Sequence, residues 1–259
     1  MSVKYQLDGD VAVITLDRPD RFNAIEVNLA RGVIDSMERA AGETRAVVLT
    51  GEGKAFCAGA DLSVLQGDDD EGPDLVEFLD NIFHPMVHAL TEAPVPVVAA
   101  VNGVAAGAGM GVALGCDIRV MAESAFFTSA FTAIGLAPDS GTTYWLPQHI
   151  GVSKAIELAM TNKRVPADEA YRLGLCAEVA PDGEVVDTAI KLAKNLADMV
   201  PDSLVTTRNL IRGATSLSFN EALQEEKREQ GRLGKTAEHR EGVAAFLEKR
   251  QPNYRGVGS

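Results

Sequence analysis

The chain has 259 residues, 46% hydrophobic and 24% charged, an ordinary globular composition that excludes disordered, collagen-like and coiled-coil classes. That length buries a sizeable core without disulfides or metals, as one large domain or one domain with a small appendage. The balance of 24 Lys and Arg against 37 Asp and Glu gives −13, and so acidic a body repels a phosphate backbone, which excludes nucleic acid as an expected partner.

Residues 3–7 and 11–16 are β-type runs, and Asp8-Gly9-Asp10 between them predicts a hairpin. Arg18-Pro19-Asp20 breaks the second run. Leu29, Val33, Ile34, Met37 and Ala40 recur at a helical period and predict a helix over 28–41. Residues 46–50 form a short buried strand, ended by Gly51-Glu52-Gly53. The acidic segment 66–73 predicts a loop, and 75–90 predicts the next helix. Pro94 and Pro96 stop that helix and lead into a strand at 97–101. A glycine-dense segment follows, then a third strand at 118–121. Strands separated by helical crossovers imply parallel pairing and an α/β core to about Gly151. Beyond it the pattern is mainly helical. Pro166 and Gly174 punctuate one helix, Ser218-Phe-Asn-Glu221 is a capping box opening another, and Thr236 caps the last, which runs towards Arg250.

The three cysteines, Cys57, Cys116 and Cys176, form no Cys-x-x-Cys pair, so neither a disulfide framework nor a zinc knuckle is read from them. A reducing cytoplasm is the expected home. The N-terminal residues alternate polar and apolar, without the apolar core of a signal segment. The apolar run 95–101 is about a third of the roughly 20 residues that a membrane span needs. A soluble, cytoplasmic protein with no membrane partner is the expectation.

Four features hold candidate chemistry. Gly103, Gly107, Gly109, Gly111 and Gly115 follow a buried strand. As a dinucleotide fingerprint the cluster fails, because Val112 stands where the third glycine belongs. Close helix packing, or close approach of a ligand to a helix N-terminus, both remain open. His84 and His88 share a helical spacing, but Pro-Met-Val separates them and no further ligand is evident, so they predict no metal site. Asp68-Asp69-Asp70-Glu71 lacks the alternating ligand spacing of a calcium loop and reads as solvated. Asp139 follows Pro138 in a largely apolar stretch, where a raised pKa suits proton transfer near neutral pH. Pro-Asp-Ser-Gly-Thr-Thr also looks like a helix start, and on spacing alone the cap is the preferred reading.

Four segments taken together resemble the crotonase superfamily, the enoyl-CoA hydratase/isomerase family. They are Arg18-Pro-Asp-Arg-Phe-Asn-Ala-Ile25, Lys54-Ala-Phe-Cys-Ala-Gly-Ala-Asp-Leu62, Val101-Asn-Gly-Val-Ala-Ala-Gly-Ala-Gly-Met110 and Cys116-Asp-Ile118. The likeness runs from the N-terminal hairpin to His239-Arg-Glu-Gly-Val-Ala-Ala-Phe-Leu-Glu-Lys249. It implies an α/β, crotonase-like spiral of strand-strand-helix repeats with a helical C-terminal trimerisation region. Residues 1–195 would form the acyl-CoA-binding core and 196–259 the helical region. The resemblance also implies an acyl-CoA thioester substrate whose enolate is held by two backbone N–H groups, matching Ala60 and Ala108. Ala58, Asp61, Leu62 and Gly107 surround those donors. Arg21 and Ala24 match the motif that contacts the CoA moiety, and Lys54 is either a second cation for CoA or a surface charge. Phe246 and Lys249 match a Phe…Lys pair that a neighbouring subunit lends to the site. Homotrimers, or hexamers built as dimers of trimers, are implied. Coenzyme A enters only as part of the substrate, with no separate cofactor and no metal.

Two departures shape the functional expectation. Hydratases of the family use two glutamates, and the matching positions here are Gly111 and Phe131. Neither moves a proton, so nothing activates water for addition to a double bond. Asp139 matches an acidic position in isomerase branches, closest to the ring-epoxide isomerases of phenylacetate breakdown, and this reverses the preference from cap to proton shuttle. The expected activity is therefore double-bond migration in an enoyl-CoA, with Asp139 as base and acid. Hydratase-like or ring-epoxide isomerase activity, and a non-catalytic CoA-binding homologue, are the alternatives. Phe78, Phe83, Met86, Phe131, Tyr144 and Trp145 are the candidate lining of the acyl pocket, bordered by the acidic loop.

Overall fold

The computed structural model of the chain describes residues 2–65 and 74–257. The loop expected at 66–73, and with it the acidic border of the pocket, lies outside the described residues. Strands β1 (Val3–Asp8) and β2 (Val11–Leu16) form the expected antiparallel hairpin. Helix α1 (Val27–Glu43) starts where the Glu26 carboxylate accepts the N–H groups of Asn28 and Leu29, each at 2.9 Å. Its buried stripe is Leu29, Val33, Met37 and Ala40, as the periodicity predicts. Strands β3 (Ala46–Gly51) and β4 (Ala55–Cys57) follow.

The single helix expected over 75–90 is divided. Helices α2 (Leu75–Phe78) and α3 (His84–Thr91) are joined by a π-helical turn at Leu79–Phe83. Pro85 supplies the reason: it has no N–H for the carbonyl four residues back, and the backbone widens so that the His84 N–H reaches the Leu79 carbonyl. The chain continues through β5 (Val97–Val101), β6 (Val104–Ala106), α4 (Ala108–Gly115), β7 (Ile118–Ala122) and β8 (Phe126–Thr128). Then come α5 (Thr142–Ile150), α6 (Val152–Thr161), β9 (Val165–Pro166), α7 (Ala167–Arg172) and β10 (Glu178–Ala180). Helices α8 (Val185–Ala197), α9 (Pro201–Ala214), α10 (Phe219–Leu233) and α11 (Ala237–Glu248) complete it.

The strands form a six-stranded sheet, ordered β1-β2-β3-β5-β7-β10, and a four-stranded sheet, ordered β4-β6-β8-β9. Every pairing in the large sheet beyond the hairpin is parallel. Strands β3 and β5 are buried along their whole length, which is why they read as unbroken apolar runs without alternation. Helix α8 packs across β2, β3, β5 and β7 with Ala189, Ala193 and Ala197 buried, small side chains that let helix and sheet approach closely. Fully buried Leu29, Leu49 and Phe56 each contribute about 1.5–3 kcal/mol of transfer free energy.

The half beyond Gly151 is less uniformly helical than its pattern. Strand β10 adds an edge to the large sheet, parallel to β7, and β9 pairs antiparallel with β8. Runs of two and three residues have no room for alternation, so only their partners reveal them. The capping box at Ser218 and Glu221 and the Thr236 cap are both formed.

Helix α9 is tied to the core by two arginines. Arg208 donates to the Ala93 carbonyl at 2.7 Å, and Arg212 to the carbonyls of Thr91 and Gly115 at 2.9 Å each. Both also bind the Asp117 carboxylate, at 3.3 and 3.0 Å, and Asp117 accepts the Val97 N–H at 2.9 Å. All three side chains are largely buried. Breaking a buried pair leaves an uncompensated charge, so Asp117→Ala is expected to lose about 3 kcal/mol or more in urea denaturation, with α9 the first helix to lose hydrogen-exchange protection.

Candidate active site

The small sheet builds the site. Strands β4, β6 and β8 run parallel, with Cys57 opposite Ala105 and Ala106 opposite Thr128. The loop after β4, the turn into α4 and the 3₁₀ turn Phe131–Ile134 after β8 therefore leave the same end of that sheet. Open parallel sheets present ligands at these carboxyl ends.

Gly59 (φ 93°) and Gly107 (φ 53°, ψ −128°) adopt backbone conformations closed to other residues. A β-carbon on Gly59 would stand 2.9 Å from the Ala106 carbonyl oxygen and 3.3 Å from the Ala108 nitrogen. The two loops thus touch through bare backbone. Among the described residues neither the Ala60 nor the Ala108 N–H donates to a protein acceptor. Ala108 is also the first residue of α4, where the helix dipole places positive potential.

Both alanines line a cavity of about 630 Å³. Arg21, Ala24, Ala58, Asp61, Leu62 and Gly107 line it too, and so does Asp139. Phe78, Phe83 and Phe131 form part of the apolar wall, joined by Leu79 and Ile134. Met86 is buried in the core instead. Tyr144 and Trp145 pack edge to face, 4.6 Å between ring centres, and Trp145 faces a second cavity beside Arg212. Lys54 is exposed and does not line the main cavity. Phe246 and Lys249 do not either. Phe246 is 83% exposed on α11, and Lys249 caps that helix at φ 55°. The structure does not bring these two expected substrate-binding residues to the cavity.

Asp139 is not a helix cap. Helix α5 is capped by Gly141 with no side-chain bond, and Asp139 contributes only its carbonyl, which accepts the Thr142 N–H at 2.9 Å. Ser140 (φ 51°) and Gly141 (φ 78°) are both left-handed and set Asp139 back from the helix start. Its Oδ1 is buried without a hydrogen-bond partner. Burial raises the Asp139 pKa above its ordinary value, while the adjacent Ser140 side chain and the His84 charge oppose the shift. Among the described residues the other carboxylates lining the cavity are Asp20 and Asp61. Asp61 is committed elsewhere: it accepts Ser63 Oγ at 2.7 Å and the Ser63 N–H at 3.1 Å, and pairs with Arg18 at 2.8 Å. The cysteines are unsuited to nucleophilic work, since burial pushes the Cys57 and Cys116 thiols up to about 12. His84 and His88 pair with Asp80 and Glu92 on their own helical stretch. Among the described residues no group of three or more His, Cys, Asp or Glu side chains is placed to hold a metal ion.

Arg18 is the residue that sequence reasoning passed over. Its guanidinium spans the Ala24 carbonyl at 2.6 Å and Asp61 at 2.8 Å, clamping the N-terminal loop to the loop that carries Ala60. Its signal was its place at the head of the Arg-Pro-Asp-Arg motif. The Ser63 and Arg18 contacts hold the Asp61 carboxyl down at about 2, below its unfolded value. Stability from this group is therefore present above the unfolded pKa of about 3.9 and lost as pH falls through the folded value. Asp61→Asn is expected to melt below the parent at neutral pH. The gap should shrink below about pH 4 and close near the folded pKa, in melting curves across that range.

The enoyl-CoA hydratase/isomerase family model matches residues 6–257. A protein of Rhodobacter capsulatus described as "Probable enoyl-CoA hydratase" is 41% identical over 256 residues, covering 98% of each chain. The 1,2-epoxyphenylacetyl-CoA isomerase of Escherichia coli K12 is 37% identical, covering 96% of this chain and 97% of its own. The crystal structure of an enoyl-CoA hydratase from Polaromonas sp. JS666 superposes with a TM-score of 0.92 at 34% identity, over 98% of this chain and 99% of that one. With its fold, its paired glycine loops and nearly its whole length matched, the chain belongs to the enoyl-CoA hydratase/isomerase family, the crotonase superfamily.

Proposed function

We propose that the protein shifts a double bond in an enoyl-CoA thioester, with Asp139 carrying the proton. One observation carries this reading: Asp139, with an unpartnered buried carboxylate oxygen, shares a cavity with the free N–H groups of Ala60 and Ala108. The Asp139 carboxylate removes a C2 proton from a 3-enoyl thioester. The electron pair moves into the carbonyl, and the resulting oxyanion is held by Ala60 and Ala108. Reprotonation at C4 by Asp139 leaves the double bond between C2 and C3, with no net gain or loss of atoms. Each oxyanion donor is worth about 2.7–4 kcal/mol in the transition state.

Water addition asks for a second proton-handling group. The positions matching the hydratase glutamates hold Gly111, buried in α4, and Phe131, whose ring belongs to the cavity wall. A raised Asp139 pKa favours exchange of the proton in both directions near neutral pH. Arg21 at the cavity rim and a neighbouring subunit's Phe246 and Lys249 complete the CoA site in this proposal. The exposed Phe246 and Leu247 on α11 suit burial in a homotrimer or a dimer of trimers. A second reading, isomerisation of a ring epoxide, is favoured by the phenylalanine-rich wall and by the likeness to the Escherichia coli epoxide isomerase.

The test offers purified protein a 3-enoyl-CoA, a 2-enoyl-CoA and 1,2-epoxyphenylacetyl-CoA, with Asp139→Asn alongside. Isomerisation of the 3-enoyl substrate should fall about 10²–10⁴-fold in the variant. Hydration of the 2-enoyl substrate that survives in Asp139→Asn would sink the proposal. Turnover of the epoxide alone would select the second reading.

The same variant has a stability consequence. A folded pKa above the unfolded one means that the stability associated with Asp139 is full below about pH 3.9 and is lost as pH rises through the folded value. Asp139→Asn is thus expected to melt above the parent at neutral pH, with the difference vanishing below about pH 4 in a calorimetric series.

A further inference from the structure

Gly111 lies in the interior of α4, at a point where a methyl group has no room. A β-carbon there would stand 2.7 Å from the Ser140 carbonyl oxygen, 2.7 Å from Thr142 Oγ1 and 3.1 Å from the Ser140 β-carbon. The first obstacle is backbone, and the second belongs to a side chain only 1% exposed. Neither yields without movement of the turn to which both belong. A helix interior favours alanine over glycine, so helix propensity does not explain the residue. The turn pressed onto it is the one that presents Asp139. It is held in a left-handed conformation at a non-glycine residue, Ser140, which persists only where the surroundings over-determine it. Its hydroxyls at Ser140 and Thr142 are buried without hydrogen bonds to α4, so what holds the turn against that helix is packing, and the bare α-carbon of Gly111 is where the two touch.

We infer that Gly111 is a positioning residue that decides which chemistry the cavity supports. Its missing side chain lets the turn 139–142 close onto α4 and present Asp139 beside the Ala60 and Ala108 N–H groups. A side chain at position 111 forces the turn and α4 apart, and Asp139 moves with the turn. The inference rests on the reading of Asp139 as the base.

The experiment compares the parent with Gly111→Ala, measuring kcat and KM for a 3-enoyl-CoA, the Kd of hexanoyl-CoA, which has no double bond to move, and kcat against pH. Small misplacements of a reacting group are costly, so kcat is expected to fall about 100-fold. KM and the hexanoyl-CoA Kd should stay within about threefold, because the thioester donors are untouched. The acid limb of the pH profile should move to lower pH as Asp139 becomes better solvated. Parental kcat, or a loss of hexanoyl-CoA binding as large as the loss of kcat, overturns the inference. Should Gly111→Ala fail to fold, Ser140→Gly takes over, since it leaves α4 intact and loosens the turn. Its kcat should drop by about tenfold or more at unchanged hexanoyl-CoA affinity, and parental kcat overturns the inference there too. An active Asp139→Asn would defeat the underlying reading. An inactive Asp139→Asn beside a fully active Gly111→Ala would defeat this inference alone.

Discussion

Everything at the site depends on one close approach of backbone to backbone. The loop after β4 meets the start of α4 where Gly59 faces the Ala106 carbonyl and the Ala108 nitrogen, with room for no β-carbon. Parallel pairing of β4 with β6 brings the two segments to the same end of the small sheet. The two glycines then bring them into contact. Free N–H groups arise on both sides of that contact because Ile25 bridges the Gly59 carbonyl and the Asp61 N–H, leaving that of Ala60 unused, and because Ala108 opens α4. The Arg18–Asp61 pair braces one loop from outside, so a charge interaction at the rim helps maintain a dipole arrangement at the centre.

Asp139 shows the opposite economy. The carboxylate of Asp61, beside Ala60, is paired with Arg18, whereas that of Asp139 has been placed in partly apolar surroundings with one oxygen lacking a partner. Burial penalises its charged form and so raises its proton affinity above that of an ordinary aspartate. Strain in the Ser140–Gly141 turn and an unsatisfied carboxylate oxygen are unfavourable for folding, and both lie on the segment that faces the thioester donors. Stability for them comes from elsewhere, from the wholly buried β3 and β5 and from arginines that fasten α9 to the core.

Family membership leaves the reaction open between hydration and isomerisation. Several relatives are described as hydratases, and the family name covers both reactions. The fold belongs to what the two reactions share, and under the proposed reading they are separated at Gly111, Phe131 and Asp139 rather than by overall likeness. A whole-chain identity of 41% is compatible with either reaction, because three positions hardly affect such a figure.

The hairpin, the strands β3, β5 and β7 of the large sheet, helix α1 and the helix caps at Ser218 and Thr236 were legible from the residues, because period, apolar runs and cap chemistry are local properties, whereas the three-residue strands β4, β6 and β8 that build the site were not. Motif likeness added the two thioester donors and singled out Gly111 and Phe131 as departures. Strands β9 and β10 were not legible, being too short to show a period and defined only by their neighbours. The π turn near Pro85 was marked by a proline but overridden by the helical pattern around it. Asp139 was the decisive ambiguity. Its neighbours suited a helix cap as well as a catalytic acid, and no local rule distinguishes them. The structure removes the side-chain cap and places Asp139 on the cavity wall, because whether a side chain faces a cavity depends on segments far away in the chain. The sequence by itself thus determined the elements, the family and the kinds of group available. Tertiary structure alone decided which of those groups share a site, since Ala60, Ala108 and Asp139 line one cavity only when three parallel strands and a strained turn converge on it.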